Sequence, residues 1–225
     1  MTMRRRFLIG AAALAVAAGC AGPAAAQGGT IKPGEINSYK TFPAFLEPYR
    51  KGWELAVEEV NAAGGVFGRK LEVISRDDSG NPGEAVRMAE ELLARENVHF
   101  IMGTFASNVG LAVADFAKQK KVLFIAAEPL TDKIVWDSGN KYTFRLRPST
   151  YMQTAMLVPD AAKLKKRRWA IVYPNYEYGQ SATRAFKELL KKAQPDVEVV
   201  TEQAVPLGQI DAGAVVQATA DAKPY

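Results

Sequence analysis

The sequence has one cysteine, Cys20, and one histidine, His99, in 225 residues. A lone cysteine near the amino end leaves the rest of the chain without a disulfide or a thiol nucleophile. His99 lies in an apolar strand pattern and reads as a buried structural side chain rather than a base. No Gly-x-Ser-x-Gly elbow and no metal-ligand cluster is present, and Asp77-Asp78 reads as a turn at a strand end. These gaps count against an exported enzyme, and no catalytic residue, metal or other cofactor is expected. Nucleic acid is not an expected partner either. The one basic run, residues 163–168 (KLKKRR), has no interleaved aromatic residues and reads as a solvated helix end. Long apolar runs are also missing: the stretch over residues 7–18 is too short and too rich in alanine to span a membrane.

What that stretch does fit is an export signal over residues 1–26, with a basic start and Ala24-Ala25-Ala26 before Gln27. Arg4-Arg5-Arg6-Phe7-Leu8 has the look of a twin-arginine signal, with Met3 where Ser or Thr is usual. Ala17-Ala18-Gly19-Cys20 is a lipoprotein-like box with Ala17 in place of the usual leucine. Cleavage after Ala26 is expected, lipidation at Cys20 is the alternative, and both imply a periplasmic location. The formal charge of +5 falls to +2 once Arg4, Arg5 and Arg6 are set aside. An apolar content of 48 % and a charged content of 24 % are ordinary for a globular protein.

The most informative stretch is residues 101–118, IMGTFASNVGLAVADFAK. An apolar strand over residues 98–102 breaks at Gly103. A helical stripe of Val109, Ala112, Val113 and Phe116 then begins behind Ser107, which is placed to cap the first turn. A strand–turn–helix start of this kind lies at the carboxyl edge of a parallel sheet, where α/β folds bind ligands. Its free N–H groups and the Ser107 hydroxyl suit a carboxylate; the bland alternative is that Ser107 only caps its own helix.

Around it the chain alternates strands and helices. Strands are expected over residues 30–37, 71–76, 122–127 and 142–147, the last with Tyr142, Phe144 and Leu146 on a buried face. Residues 38–48 read as a loop. A helix stripe of Trp53, Ala56, Val57 and Val60 follows, ended by Gly64-Gly65. Asn81-Pro82-Gly83-Glu84 is a helix start with a capping box, followed by a stripe of Val86, Ala89 and Leu93. After residue 150 the rhythm restarts with strands at 169–173 and 197–201 and helices at 181–193 and 211–222. This is an α/β fold of two parallel-sheet lobes joined by right-handed crossovers: lobe 1 over residues 27–148 and the start of lobe 2 over residues 149–225. The second lobe looks truncated.

The segments Gly34-Glu35-Ile36-Asn37, GWELAVEEVNAAGGVFGRKLEVISRDD (residues 52–78), GTFASNVG (103–110), AAEPLTDKI (126–134), FRLRPS (144–149) and YPNYEYGQS (173–181) resemble the periplasmic leucine/isoleucine/valine-type substrate-binding proteins of ABC transporters. The resemblance implies a type I periplasmic-binding-protein clamshell that closes over a small ligand and docks on an inner-membrane ABC permease; a monomer is expected. It places Ser107 at the ligand carboxylate. Ala127, Glu128 and Thr131 fall at the turn that binds the ligand's amino group, where Glu128-Pro129-Leu130 departs from the small residue and threonine of the amino-acid binders. Tyr178 falls at an aromatic of lobe two that closes on the ligand, and Tyr39 in a loop lining the cleft; each also reads as a half-buried packing tyrosine. Phe105, just after the strand, could stack on an aromatic ligand or cover an aliphatic one. An amino acid, with branched-chain ones the family default, or an aromatic or other organic acid is therefore the expected ligand. A ligand-sensing receptor domain on the same fold is the alternative.

Overall fold

A computed structural model describes residues 29–208 and 210–224. The expected export segment and Cys20 lie outside the described residues.

Each apolar run bounded by a turn pairs with its neighbours in one direction. The first sheet consists of β1 (Pro33–Asn37), β2 (Ile74–Asp77), β3 (Phe100–Gly103), β4 (Phe124–Ala126) and β5 (Thr143–Arg145), all parallel, in the order β2-β1-β3-β4-β5. The crossovers run through α1 (Pro43–Ala62), α2 (Pro82–Ala94) and α3 (Ser107–Lys120). Ile36, Ile101 and Phe124 meet Ala85, Ala89 and Leu92 of α2 and Val109, Val113 and Phe116 of α3 in one buried cluster. Burying each large side chain contributes about 1.5–3 kcal/mol. A short 3-10 turn (Asp132–Ile134) follows β4. Beyond β5 come α4 (Thr150–Lys163), β6 (Arg168–Pro174), α5 (Glu177–Ala193), β7 (Glu198–Val205) and α6 (Ala212–Ala222). β6 and β7 form a second parallel sheet over a small cluster of Val158, Leu190 and Val197. This is the expected α/β architecture with two parallel sheets.

Local chemistry sets several boundaries differently from the sequence pattern. The segment read as a loop over residues 38–48 is already helical from Pro43, because proline's fixed φ suits a first helical turn. Along α1 only Leu46 is fully buried; Trp53, Val57 and Val60 are half-buried and Ala56 is exposed. Asn81 caps α2 as expected, accepting from the N–H groups of Gly83 and Glu84. The capping box does not close, since the Asn81 N–H already donates to the Asp78 carbonyl and Glu84 pairs with Arg87. The buried stripe of α2 is Ala85, Ala89 and Leu92, with Val86 and Leu93 half-buried. In β5 the faces are reversed: Thr143 is buried while Phe144 and Leu146 are exposed. The Thr143 hydroxyl bonds to Asn140, and Arg145 donates to the Thr131 carbonyl, so the inner face of this strand is claimed by polar contacts. His99 is exposed rather than buried, and precedes β3. Its Nδ1 accepts the Lys32 N–H at 3.0 Å while its own N–H donates to the Lys32 carbonyl, completing the ladder beside Pro33.

Candidate ligand site

The order β2-β1-β3 means that the crossovers leave β1 to one side and continue from β3 on the other. Open α/β sheets bind ligands beyond the carboxyl ends of the strands at such a reversal. There β3 ends in Gly103 at φ 107° and is followed by Thr104 at φ 60°, both of positive φ. A Cβ on Gly103 would stand 2.4 Å from the Ile36 carbonyl oxygen, so only glycine fits. Thr104 is β-branched, for which this conformation is strained by about 1–3 kcal/mol. It is fully buried, and its hydroxyl has no partner among the described residues. The Thr104 N–H is fastened to the Ile36 carbonyl at 2.6 Å, and the turn so formed starts α3 directly over the strand ends.

Ser107 does not cap α3. Ala106 occupies that position, and Ser107 is the first helical residue, 2 % exposed. Its hydroxyl instead accepts the N–H groups of Leu130 and Thr131 at 3.3 and 3.2 Å. Two accepted bonds use both oxygen lone pairs, so the hydroxyl proton remains to be donated. The first-turn N–H groups of α3 have no intrahelical partner, and the positive end of the helix dipole lies with them. Donors without acceptors at a helix start are suited to an anionic oxygen.

The neighbouring turn is built around the same point. Ala127 is buried and donates its N–H to the Gly103 carbonyl at 2.9 Å, holding β4 against β3. Glu128 is ion-paired with the Arg147 guanidinium. Thr131 is fully buried; its hydroxyl donates to the Glu177 carboxylate at 2.7 Å. Phe105 stands beside Phe42 and Phe45, with ring centroids 4.8 and 5.5 Å away. Ser107, Phe105, Ala127, Glu128 and Thr131 thus share one edge of the first sheet.

Tyr39, in the turn after β1, is 5 % exposed. Its hydroxyl donates to Glu35 at 3.0 Å and accepts from the Trp53 indole at 3.2 Å, and Arg50 lies 3.9 Å above the ring. Glu35 also accepts from the Ser75 hydroxyl at 2.5 Å. Burial pushes the Glu35 carboxyl up to about 7 against the opposing pull of Ser75, Tyr39, Asn37 and Arg50. Tyr178 lies on the second sheet's side, lining an open trough with Trp169, Tyr173 and Phe186. Its ring centroid is 6.0 Å from that of Tyr176. Tyr176, unnoticed in the sequence, packs against the first sheet's core, and burial pushes its hydroxyl up to about 12. Phe42 and Phe45 fell in the segment read as a loop; Pro43, which suits a first helical turn, is the signal that could have placed them at a helix start. Thr104 and Glu177 carry no local signal.

The Periplasmic binding protein family matches residues 41–225. Leu/Ile/Val-binding protein homolog 7 of Brucella suis is 32 % identical over 214 residues, 91 % of this chain and 52 % of the relative. A solute binding protein of an ABC transporter from Rhodopseudomonas palustris BisB5, solved in complex with 3,4-dihydroxy benzoic acid, superposes with a TM-score of 0.77 at 28 % identity, over 87 % of this chain and 52 % of that one. A branched-chain amino acid transporter substrate binding protein from Streptococcus pneumoniae, in complex with isoleucine, shares the fold at a TM-score of 0.73 and 23 % identity, over 85 % of this chain and 54 % of that one. The chain spans about half the length of these relatives.

Proposed function

The chain belongs to the periplasmic binding protein family, and from that premise we propose that it serves as an extracytoplasmic solute-binding protein delivering an amino acid or related small carboxylate to an ABC importer. The observation that carries this reading is Ser107: a hydroxyl that accepts twice, at a helix start rich in free N–H groups, has its proton left for an anionic oxygen. Desolvated donors aimed at a carboxylate supply affinity, and the apolar rim sets the side chain. Ala127 and Glu128 would frame the rest of the ligand, with Phe105 on the first sheet's side and Tyr178 closing from the second, while Thr131 and Tyr39, whose hydroxyls are bonded to Glu177 and Glu35, would support the site from behind. Docking of the closed form on an inner-membrane permease completes the cycle. The location proposed is the periplasm, the state a monomer, and the role binding rather than catalysis.

A second reading concerns the ligand. Phe105 with Phe42 and Phe45 forms an aromatic wall beside Ser107, and Arg147 already occupies the Glu128 carboxylate that an ammonium would need. Both features favour an aromatic carboxylic acid over an α-amino acid. The test is a thermal-shift screen with leucine, isoleucine, valine, their amides, benzoate and 4-hydroxybenzoate. Stabilisation must grow with concentration over dissociation constant. Shifts with free acids and none with amides support the carboxylate turn; no shift across the panel in a chain that melts cooperatively would overturn it.

A further inference from the structure

Two acids are exchanged across the junction between the sheets. Asp132, in the 3-10 turn after β4, sends its carboxylate to the start of α4. There it accepts the Thr150 hydroxyl at 2.7 Å and the Tyr151 N–H at 3.1 Å, and it also accepts the Ser181 hydroxyl of α5 at 3.2 Å. Glu177, the first residue of α5, reaches the opposite way. One of its oxygens accepts the Thr131 hydroxyl at 2.7 Å and the other pairs with Lys133 at 2.9 Å. An acid in a first helical turn ordinarily serves its own helix dipole. Here both Glu177 oxygens are spent on residues of the other sheet's side, and α5 has no side-chain cap. The contact is therefore a tie between units.

Thr131 is the shared member of this tie and of the ligand site. Its N–H donates to the Ser107 hydroxyl, its own hydroxyl donates to Glu177, and that same oxygen accepts the Lys133 N–H at 3.3 Å. Ser107, Thr131 and Glu177 form one chain of hydrogen bonds from the start of α3 to the start of α5. With Thr131 fully buried and the Glu177 side chain only 12 % exposed, water does not readily replace these bonds. A ligand shifts a conformational equilibrium only through contacts that differ between its states. The Glu177 bonds are such contacts, since they exist only when the second unit sits as it does here.

We propose that Glu177 is a positioning residue of the ligand site: through Thr131 it fixes the turn that Ser107 holds, so that the geometry around Ser107 and the orientation of the second unit are one coupled equilibrium. The consequence for binding rests on the carboxylate reading of Ser107; the coupling itself does not. The test needs no ligand. Thermal unfolding of the full chain is measured for Ser107→Ala, Glu177→Gln and the double variant, with Glu84→Gln, an exposed first-turn acid of α2, as the control partner. The shift in melting temperature of the Ser107/Glu177 double variant is expected to fall short of the sum of the single shifts, while the control pair adds. Spin labels at Lys118→Cys and Lys192→Cys, both exposed, in a Cys20→Ser background then report the distance between the units. Glu177→Gln is expected to broaden that distribution. Thr131→Val, which keeps the backbone N–H and the side-chain shape, is expected to broaden it equally, and serves should Ser107→Ala fail to fold. Additive melting shifts, or a distance distribution that Glu177→Gln and Thr131→Val leave unchanged, overturn the proposal.

Discussion

Gly110 of α3 and Pro129 of the following turn approach so closely that a methyl group on Gly110 would stand 2.6 Å from both Cβ and Cγ of the proline ring. The Thr104 hydroxyl would be 3.3 Å from the same methyl. A rigid ring on one side and a strained turn on the other leave nothing free to move. The close approach is what lets the Ser107 hydroxyl reach two N–H groups of the turn behind Pro129.

Gly110→Ala is therefore expected to force the turn off α3, costing about 1–3 kcal/mol as overpacking does. Urea unfolding measures the loss. The same variant should bind every carboxylate of the panel more weakly, because the separation acts on the shared turn and not on the side-chain pocket.

Ser107→Ala removes the acceptor of the Leu130 and Thr131 N–H groups, and Thr131 is fully buried. Leaving such donors unpaired costs about 1–3 kcal/mol in stability. On the proposed function the variant also loses the thermal shift given by free carboxylates. A retained shift of unchanged size would remove Ser107 from the ligand site.

Glu35 makes stability depend on pH. Its carboxyl is raised in the fold to about 7 from an ordinary 4.5. The folded chain thus holds a proton that the unfolded chain has released between those values, and stability falls as pH rises from about 4.5 to about 7, then levels. At about 1.36 kcal/mol per unit the full effect is about 3 kcal/mol. Glu35→Gln keeps the shape without the ionisation, and should flatten the dependence seen in urea melts at pH 4.5, 6 and 8. An unchanged slope in Glu35→Gln assigns the dependence elsewhere.

Arg147 neutralises Glu128 beside the candidate site. Arg147→Met frees that carboxylate to attract a ligand ammonium. Relative affinity, read by calorimetry, is expected to move toward isoleucine and away from 4-hydroxybenzoate. If the ratio of the two does not change, Glu128 does not face the ligand.

The sequence by itself determined the β–α alternation, the parallel sheets and the place of the turn at residues 103–107. Each depends on near neighbours: apolar period, Gly103 after a strand, Asn81 before Pro82, Gly64-Gly65 after a helix. The start of α1 was not among these: residues 38–48 read as a loop, because Tyr39, Phe42 and Phe45 show no clear period there, while α1 starts at Pro43. What only the tertiary structure decided are relations between segments far apart along the chain. Ser107 looks like a cap until Leu130 and Thr131 arrive, 23 and 24 residues later, to occupy its oxygen. Phe144 and Leu146 look buried until Arg145 is seen committed to the Thr131 carbonyl, which turns the other face of β5 inward. Glu177 falls ahead of the helix read over residues 181–193, yet α5 starts at Glu177 itself, and Thr131, 46 positions away, lies against it. Periodicity reports which face of an element is apolar, because that follows from backbone geometry alone. Which polar group meets which is decided by packing, where a buried hydroxyl or carboxylate must take whatever partner the fold brings within reach.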